Sequence, residues 1–256
     1  MTASGELLAL LSAQVWHGFA VFLRVGALVA MLPAFGEQSI PARVKLAVAL
    51  AFTFITAPAL AQISPPESFG TLGLMVMSES LAGLAIGIGV RLFVLALQTA
   101  GSIAAQSTSL SQVLGGAAVD PLPAMGYILI VGGLALAVMT GLHVKAALLI
   151  ILSYDFIPFG QFASASDLTD WGVEQIAHAF ALAFTLAAPF VILSVVYNLA
   201  LGAINKAMPQ LMVAFVGAPL ITAGGLALLM IAAPSILAAW TDAMDHYLAD
   251  PFGNTR

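Results

Sequence analysis

The chain has 256 residues, of which 61% are hydrophobic and only 7% are charged, and its mean hydropathy is +1.07. Soluble globular domains carry roughly 25% charged residues, so this composition excludes a soluble domain and indicates an integral membrane protein. A net charge of -5 without any basic run argues against nucleic-acid binding, and the lack of cysteine excludes disulfides and thiolate metal sites.

Six apolar blocks follow one another along the chain, each close to the roughly 20 residues that a bilayer crossing requires. They cover residues 7–32, 42–61, 72–97, 124–152, 175–204 and 211–240. We therefore predict an all-α integral membrane protein with about six apolar segments. The predicted organisation is a single polytopic membrane domain over residues 1–256.

Four charged residues fall within or near the ends of these blocks: Arg24, Glu79, Arg91 and Lys145. An ionisable group at mid-membrane costs roughly 2.5 to 3.5 kcal/mol unless it is paired or hydrated. One interpretation is a transport path or proton relay. The sequence favours the other, an ion pair such as Arg24 with Glu79 that fixes helix register, because only Glu79 is an acid deep in a block. Two further cations, Arg43 and Lys45, follow the first loop and indicate that it faces the cytoplasm.

Glycine and proline positions predict how the helices pack. Gly83 and Gly87 form a small-xxx-small pair, which allows close approach between helix backbones. The last two blocks contain Pro189, Pro219 and Pro234, so they are expected to be kinked helices or short helical hairpins. Both features favour helices packed against protein over helices surrounded by lipid, and hence a subunit of a larger hetero-oligomeric assembly.

The stretch at about 101–123 is polar and carries no charge before Asp120. Disordered segments generally owe their solubility to charge, and non-helical backbone at membrane depth is tolerated only when it is buried in protein or lines a water path. We therefore predict a loop that plugs a channel, with an ordinary solvent-exposed loop as an alternative of equal weight. The predicted plug residues are Gln106, Leu110, Gln112, Val113, Leu114, Gly115, Gly116 and Asp120.

From Asn198 the chain reads NLALGAINKAMPQLMVAFVGAPL. The distinctive positions in this segment are Asn198, Gly202, Asn205, Lys206, Pro209, Gln210, Leu211, Gly217 and Pro219. This pattern resembles the signature of the FliR family of flagellar export-gate proteins, whose injectisome relatives are of the SpaR and YscT type. The likeness extends over nearly the whole chain in the same order, and it includes Arg24, the Arg43 and Lys45 pair, Glu79 with Gly83, and the turn at 158–160.

The resemblance implies a core subunit of a protein export gate in the bacterial inner membrane, within the flagellar basal body. Members of the family assemble with FliP-like and FliQ-like subunits, and an FlhB-like subunit wraps around the gate through which unfolded proteins are exported. The family's plug loop corresponds to about 106–120 here. The resemblance also implies assembly or ion-pairing roles for Arg24, Arg43, Lys45, Glu79, Gly83, Gly87, Asn198, Asn205, Lys206, Pro209 and Gln210.

Two other function classes remain open at this point. A small secondary transporter would use Arg24, Glu79 and Lys145 to line a substrate site, since such carriers coordinate substrates at broken helices. An intramembrane enzyme ranks last, because the chain shows no nucleophile and base at recognisable spacing. No metal-ligand spacing or nucleotide-binding motif is present in the sequence, so we expect a non-enzymatic protein without a cofactor.

Overall fold

The computed structural model describes residues 3–66, 68–109, 124–208 and 213–253, and helices joined by short turns account for nearly all of them. The helices are α1 (Ala3–Met31), α2 (Ala42–Thr56), α3 (Phe69–Ser109), α4 (Ala124–Met139), α5 (Leu142–Phe156), α6 (Ala165–Ala207) and α7 (Val213–Ala249). A short 3-10 turn, Ala57–Ala59, follows α2. The all-α class predicted from the sequence is confirmed.

Five helical segments in the described part of the chain are long and apolar enough to cross a membrane, and α4 with α5 provides a sixth when the two are taken as one broken span. The break lies at Gly141, whose φ of 85° is in the left-handed region that glycine adopts without steric cost. The number of apolar segments therefore agrees with the sequence prediction, and the sharpest interruption falls in the fourth block.

The fifth and sixth blocks form the continuous helices α6 and α7. The sequence had left two possibilities open, kinked helices or helical hairpins. Pro189 lies inside α6, and Pro219 and Pro234 lie inside α7. Proline removes one backbone hydrogen bond, but an apolar helix in a bilayer has no solvent to replace the remaining bonds, so the helix continues through it.

The first nine residues of the stretch predicted as a plug loop are helical. Residues 101–109 belong to α3, so the prediction of a loop is wrong for this part. Its composition explains the error, since Ala104, Ala105 and Gln106 are acceptable helix residues, and Gly101 and Ala104 are buried on the packed face. Residues 110–123 lie outside the described part of the chain.

The chain divides into two compact units. Unit 1 contains Met1–Arg91, Val138–Glu174 and Asp245–Arg256, and unit 2 contains Leu92–Ala137 and Gln175–Met244. In unit 1 the buried residues of α1 recur at helical spacing on one face, through Val21, Val25 and Leu28. The prediction of a single membrane domain stays a prediction.

Unit 2 is organised around Trp240, which is fully buried. Its indole Nε1 donates a hydrogen bond of 2.8 Å to the carbonyl of Phe93. Gly133 lies beside the same ring and beside Leu97, so that a side chain at this position would collide with Leu97. Close helix packing in unit 2 therefore depends on a glycine beneath a large aromatic side chain.

Candidate functional site

The densest polar cluster lies in unit 1 around Arg24, whose side chain is completely buried. Its Nε donates to Glu79 Oε2 at 2.8 Å, and its Nη2 donates to Glu79 Oε1 at 3.1 Å, which is a two-pronged ion pair between α1 and α3. Glu79 is also completely buried. The guanidinium carbon lies 3.7 Å from the centre of the Tyr154 ring on α5, a cation–π distance.

The remaining guanidinium hydrogens bind the end of α5. Arg24 Nη1 donates to the carbonyl of Ser153 at 3.0 Å and to its hydroxyl at 3.2 Å, and Nη2 donates to the carbonyl of Ile157 at 2.8 Å. Arginine has five N–H donors, and these contacts with Glu79 and α5 use all of them. The cluster therefore joins α1, α3 and α5 through one side chain, which we call the Arg24 clamp.

The turn after α5 completes the clamp. Gly160 has a φ of 71°, and its backbone N–H donates to Glu79 Oε1 at 2.9 Å. Gln161 N bonds to the carbonyl of Pro158 across this turn, with Gly160 at the third position, where a positive φ is typical of a type II turn. The left-handed glycine thus aims a backbone donor at the buried carboxylate.

The clamp has little capacity for transport chemistry. Every donor of Arg24 is engaged, and Glu79 accepts from both Arg24 and Gly160. A charge pair of this kind, out of water and fully hydrogen-bonded, holds helices in register, whereas a proton relay or substrate site needs an open position. The geometry supports a structural role for the pair.

Arg91 and Lys145, the two other cations noted in the apolar blocks, are each paired with an acid within unit 1. Arg91 Nη1 lies 2.6 Å from Glu37 Oε1 and Nη2 lies 3.3 Å from Oε2, while Lys145 Nζ lies 2.6 Å from Asp245 Oδ1. These side chains keep between 23% and 36% of their surface exposed. Lys145 is therefore separate from the Arg24 clamp, and the three residues assigned to a carrier site do not meet at one place.

Gly83 and Gly87 serve contacts within the chain. A Cβ on Gly83 would overlap the carbonyl of Arg24, and a Cβ on Gly87 would crowd Met31 and the backbone of Leu28. The two glycines therefore bring α3 against α1 at the level of the clamp. Packing against α1 of the same chain is sufficient to explain why glycine occupies these two positions.

The cations of the first loop behave differently from each other. Lys45 Nζ donates to the carbonyl of Gly36 at 2.9 Å, which ties the start of α2 to the loop before it. Arg43 is exposed. Their roles in assembly stay predictions.

The signature segment lies at the end of α6. Asn198 Nδ2 donates to the carbonyl of Ser194 at 2.8 Å and to its hydroxyl at 3.2 Å, both one turn earlier in the same helix. Asn205 and Lys206 are exposed in the last turn. Pro209 and Gln210 lie outside the described residues, so their predicted roles have no structural counterpart here.

The predicted plug residues are only partly covered by the structure. Gln106 is exposed on the last turns of α3. The others lie outside the described residues: Leu110, Gln112, Val113, Leu114, Gly115, Gly116 and Asp120. The structure thus gives the helix ends on either side, Ser109 and Ala124.

The sequence indicates the pairing of Arg24 with Glu79, but it gives no indication of the other partners of these two buried charges. Ser153, Ile157 and Gly160 complete the clamp largely through backbone atoms, which leave no residue-type signal, although the 158–160 turn was part of the resemblance. Glu37 and Asp245 could have been proposed as partners, because each cation in an apolar block requires an acid. His17 is a buried histidine with partners on both ring nitrogens, the Ala57 carbonyl at 2.8 Å and the Ile63 N–H at 3.3 Å.

These features define a class: a polytopic, all-helical membrane protein in which Arg24, Arg91 and Lys145 are each paired with an acid. Within that class the chain belongs to the family described as Bacterial export proteins, family 1, whose model matches residues 15–247. It is 38% identical over 233 residues to the flagellar biosynthetic protein FliR of Caulobacter vibrioides, covering 90% of this chain and 93% of the relative.

Two further relatives carry the same name. The FliR protein of Escherichia coli is 32% identical over 224 residues, covering 84% of this chain and 83% of the relative. That of Bacillus subtilis is 28% identical over 214 residues, covering 78% and 79%. The matches extend over most of both chains, so the family resemblance drawn from the sequence is confirmed.

Proposed function

We propose that this protein is a non-enzymatic core subunit of the flagellar type III export gate, in the inner membrane of a bacterium. The single observation that carries the proposal is the match of residues 15–247 to a bacterial export family whose similar members are flagellar biosynthetic proteins. FliP-like and FliQ-like subunits would be its companions, with an FlhB-like subunit around them. Unfolded flagellar proteins would be the substrates.

The length of α6 supports assembly with other protein subunits. Within unit 2, exposed apolar side chains recur on this helix from Ile176 to Ile204, about 42 Å at 1.5 Å per residue. The hydrocarbon core of a bilayer is about 30 Å thick. Covering this stretch with lipid alone would require a tilt of about 45°, beyond the usual range of roughly 0 to 40°. Part of this surface is therefore best covered by protein.

The ion pairs argue against the hypothesis that the protein is a small secondary transporter. A substrate site needs groups that exchange water for substrate, whereas Arg24 and Glu79 are buried and bonded to each other, and Lys145 is bonded to Asp245. An export-gate subunit needs no such site, because its channel arises between subunits. The clamp then keeps the helices of one subunit in register while it contacts its neighbours.

The sealing element of the gate is the second part of the proposal. We assign it to residues 110–123, with Leu110, Val113 and Leu114 narrowing the channel at rest. Gly115 and Gly116 would supply hinge freedom, because glycine reaches backbone angles closed to other residues. Gln106 lies on α3, so it would belong to the helix that precedes the plug and not to the plug itself.

Copurification tests the assembly. Tagged protein expressed with its native operon partners and extracted in mild detergent should bring down two further small membrane subunits in fixed ratio, and it should be degraded when those subunits are deleted. A well-behaved homo-oligomer that is stable without companions would refute the gate assignment and favour a carrier.

Deletion of residues 110–116 tests the plug. Cells carrying this variant should admit small ions and dyes that wild-type cells exclude, because the resting channel loses its seal. A matched control, Gly73→Leu, alters an exposed helical position outside this stretch, where a Cβ meets no atom within 4 Å, and should leave permeability at the wild-type level. Unchanged permeability in an assembled complex would contradict the plug assignment and leave the gate assignment intact.

A further inference from the structure

Pro234 leaves a gap in the backbone hydrogen bonding of α7. In an α-helix the N–H of each residue donates to the carbonyl four residues earlier, and proline has no N–H. Pro234 lies inside α7, so the carbonyl of Met230 lacks the bond that the helix would otherwise supply. A backbone carbonyl without a donor is strongly unfavourable in hydrocarbon.

The gap lies on the exposed surface of unit 2. The Met230 side chain is 76% exposed, and Pro234 is also exposed. The missing bond would run along the helix axis between these two residues. The Met230 carbonyl therefore lies on this open face, and not on the buried face of α7 that carries Leu229, Ile236 and Trp240.

Hydroxyl groups of α7 do not fill the gap. Serine and threonine side chains can bond a carbonyl that a proline has deprived of its donor, but each hydroxyl has one hydrogen to give. Ser235 donates to the carbonyl of Ala232 at 2.8 Å, and Thr241 donates to the carbonyl of Leu237 at 2.8 Å. The two hydroxyls that follow Met230 on this helix are therefore engaged elsewhere.

The gap is also far from headgroups and water along the helix. The span Pro219–Ala249 is long and apolar enough to cross a membrane. Asp242, the first charged residue after Met230, is 12 residues away, about 18 Å along the helix. Half of the hydrocarbon core is about 15 Å. A bilayer around this face would therefore place acyl chains, which donate no hydrogen bonds, against the carbonyl.

The helix α6 carries a similar arrangement. Pro189 removes the helix donor for the carbonyl of Thr185, an exposed residue, and the Thr185 hydroxyl donates to the carbonyl of Ala181 at 2.8 Å. Pro189 is half-buried, so the gap in α7 is the more open of the two. Two such carbonyls on exposed helices of one unit favour a surface that meets hydrogen-bond donors over one that meets acyl chains.

We propose that the α7 face around Met230 and Pro234 docks a helix of a neighbouring membrane protein, and that a hydroxyl, amide or indole side chain of that helix donates a hydrogen bond to the Met230 carbonyl. The donor is neutral, because an ion buried here would need a counter-ion. The charged residues in the described part of unit 2, Lys206 and Asp242, are 12 or more residues away along the chain. The inference rests on the proposed function for the identity of the neighbour, a companion subunit of the gate.

Crosslinking identifies the neighbour. The chain with p-benzoylphenylalanine in place of Met230 is assembled with its native operon partners, irradiated in the membrane, purified and digested for mass spectrometry. The adduct should form with one gate subunit, within about one helical turn of a serine, threonine, asparagine, glutamine, tyrosine or tryptophan. Adducts confined to lipid would overturn the proposal.

A double-mutant cycle tests the hydrogen bond itself. Pro234→Ala returns an N–H to α7, so the Met230 carbonyl is bonded within the helix and no longer needs the neighbour. Replacing the crosslinked donor by an apolar residue of similar size should weaken the association of the wild-type chain about three- to tenfold. In the Pro234→Ala background the same replacement should change association by less than about twofold.

Association is measured as the fraction of the neighbouring subunit retained over a detergent series, by native mass spectrometry of the complex. Equal losses in the two backgrounds would overturn the proposal. A complex from which no companion subunit copurifies would refute the gate assignment, whereas copurification with equal losses would refute this inference alone.

Pro234→Gly separates the hydrogen bond from the bend of the helix. Glycine also restores the N–H, but it keeps the backbone pliable, so the dependence on the donor should disappear as it does in Pro234→Ala. Pro65→Ala is the matched control, because Pro65 is exposed in the connection before α3 and lies outside any helix. It should keep the wild-type dependence. If Pro234→Gly kept that dependence too, the donor would not bind the Met230 carbonyl and the proposal would be wrong.

Cysteine labelling tests whether water supplies the donor instead. The chain has no cysteine, so Met230→Cys introduces a single thiol. In the assembled complex this thiol should react with a water-soluble maleimide about tenfold more slowly than the thiol of Pro65→Cys, because the thiolate is the reactive form and apolar surroundings disfavour it. Equal labelling at the two positions would show a hydrated surface and overturn the proposal.

Discussion

Both units contain close-packed glycines, but the two units differ in the other contacts that hold their helices together. In unit 1 the helices are joined by charged side chains, through the Arg24 clamp and the pairs Arg91 with Glu37 and Lys145 with Asp245. In unit 2 the contacts depend on small residues and one large aromatic. Gly101 lies directly against Gly126, and Gly133 makes room for Leu97 beside Trp240.

The difference follows from what each unit has available. The charged residues in the described part of unit 2 are Lys206 and Asp242, so its helices associate through close backbone approach and van der Waals packing. Unit 1 contains most of the charge, and its buried ion pair is specific in geometry because a guanidinium and a carboxylate must align. One membrane protein can thus contain a region whose helix packing is fixed by ion pairs and a region whose helix packing depends on the fit of small and large side chains.

Breaking the clamp should produce the largest effect. Arg24→Met leaves Glu79 buried without its cation and should lower the free energy of unfolding by about 3 to 5 kcal/mol. The double variant Arg24→Met with Glu79→Met should recover most of this loss, because no uncompensated charge remains. The measurement is denaturant titration of the purified protein in mild detergent.

Arg43→Met is the matched control for the clamp, since Arg43 is exposed. Its free energy of unfolding should stay within about 0.5 kcal/mol of wild type. A double variant no more stable than Arg24→Met would show that hydrogen bonds to the end of α5, rather than charge compensation, dominate the clamp.

In unit 2, stability should fall when a side chain is added at a close contact between helices. A Cβ on Gly101 would collide with the backbone of Gly126, so Gly101→Ala should destabilise the protein by about 1 to 3 kcal/mol. Gly202→Ala is the control, because a Cβ there meets nothing within 4 Å, and it should gain roughly 0.5 to 1 kcal/mol of helix stability. Thermal melts followed by circular dichroism compare the two, and equal melting temperatures would argue against the role of close packing.

The turn at Gly160 should give the smallest of the three effects. Gly160→Ala forces an ordinary residue into a φ of 71° and should cost about 1 to 2 kcal/mol, although the space around the position is open. Gly160→Asn should cost less, because asparagine tolerates the left-handed region. Denaturant titration measures both, and a larger loss in Gly160→Asn than in Gly160→Ala would contradict the explanation by backbone conformation.

The sequence predicted those properties that depend on hydrophobicity and solvation. The six apolar segments follow from the bilayer thickness, and a partner for Arg24 follows from the cost of an unpaired charge. Glu79 could be named as that partner because it is the one acid deep in a block. The contribution of α5 could not be named, since Ile157 and Gly160 bind through backbone atoms.

Errors arose where local composition does not decide the conformation. Residues 101–109 are polar and were predicted as loop, but they continue α3 because Gly101 and Ala104 pack on a neighbouring surface of unit 2. The prolines of α6 and α7 indicated kinked helices or hairpins, and both helices continue through them, while the break in the fourth block occurs at Gly141. Gly83 and Gly87 indicated close helix packing and a role in assembly. They pack against α1 of the same chain, and their role in assembly stays a prediction.

The sequence by itself determined that this chain lies in a membrane, that it is helical, and to which family it belongs, because hydropathy and a linear motif are properties of residues in order. Only the tertiary structure decided which helices share the Arg24 clamp and where the glycines pack. Those features depend on distances between residues far apart in the chain, which folding sets and the residue order alone does not specify.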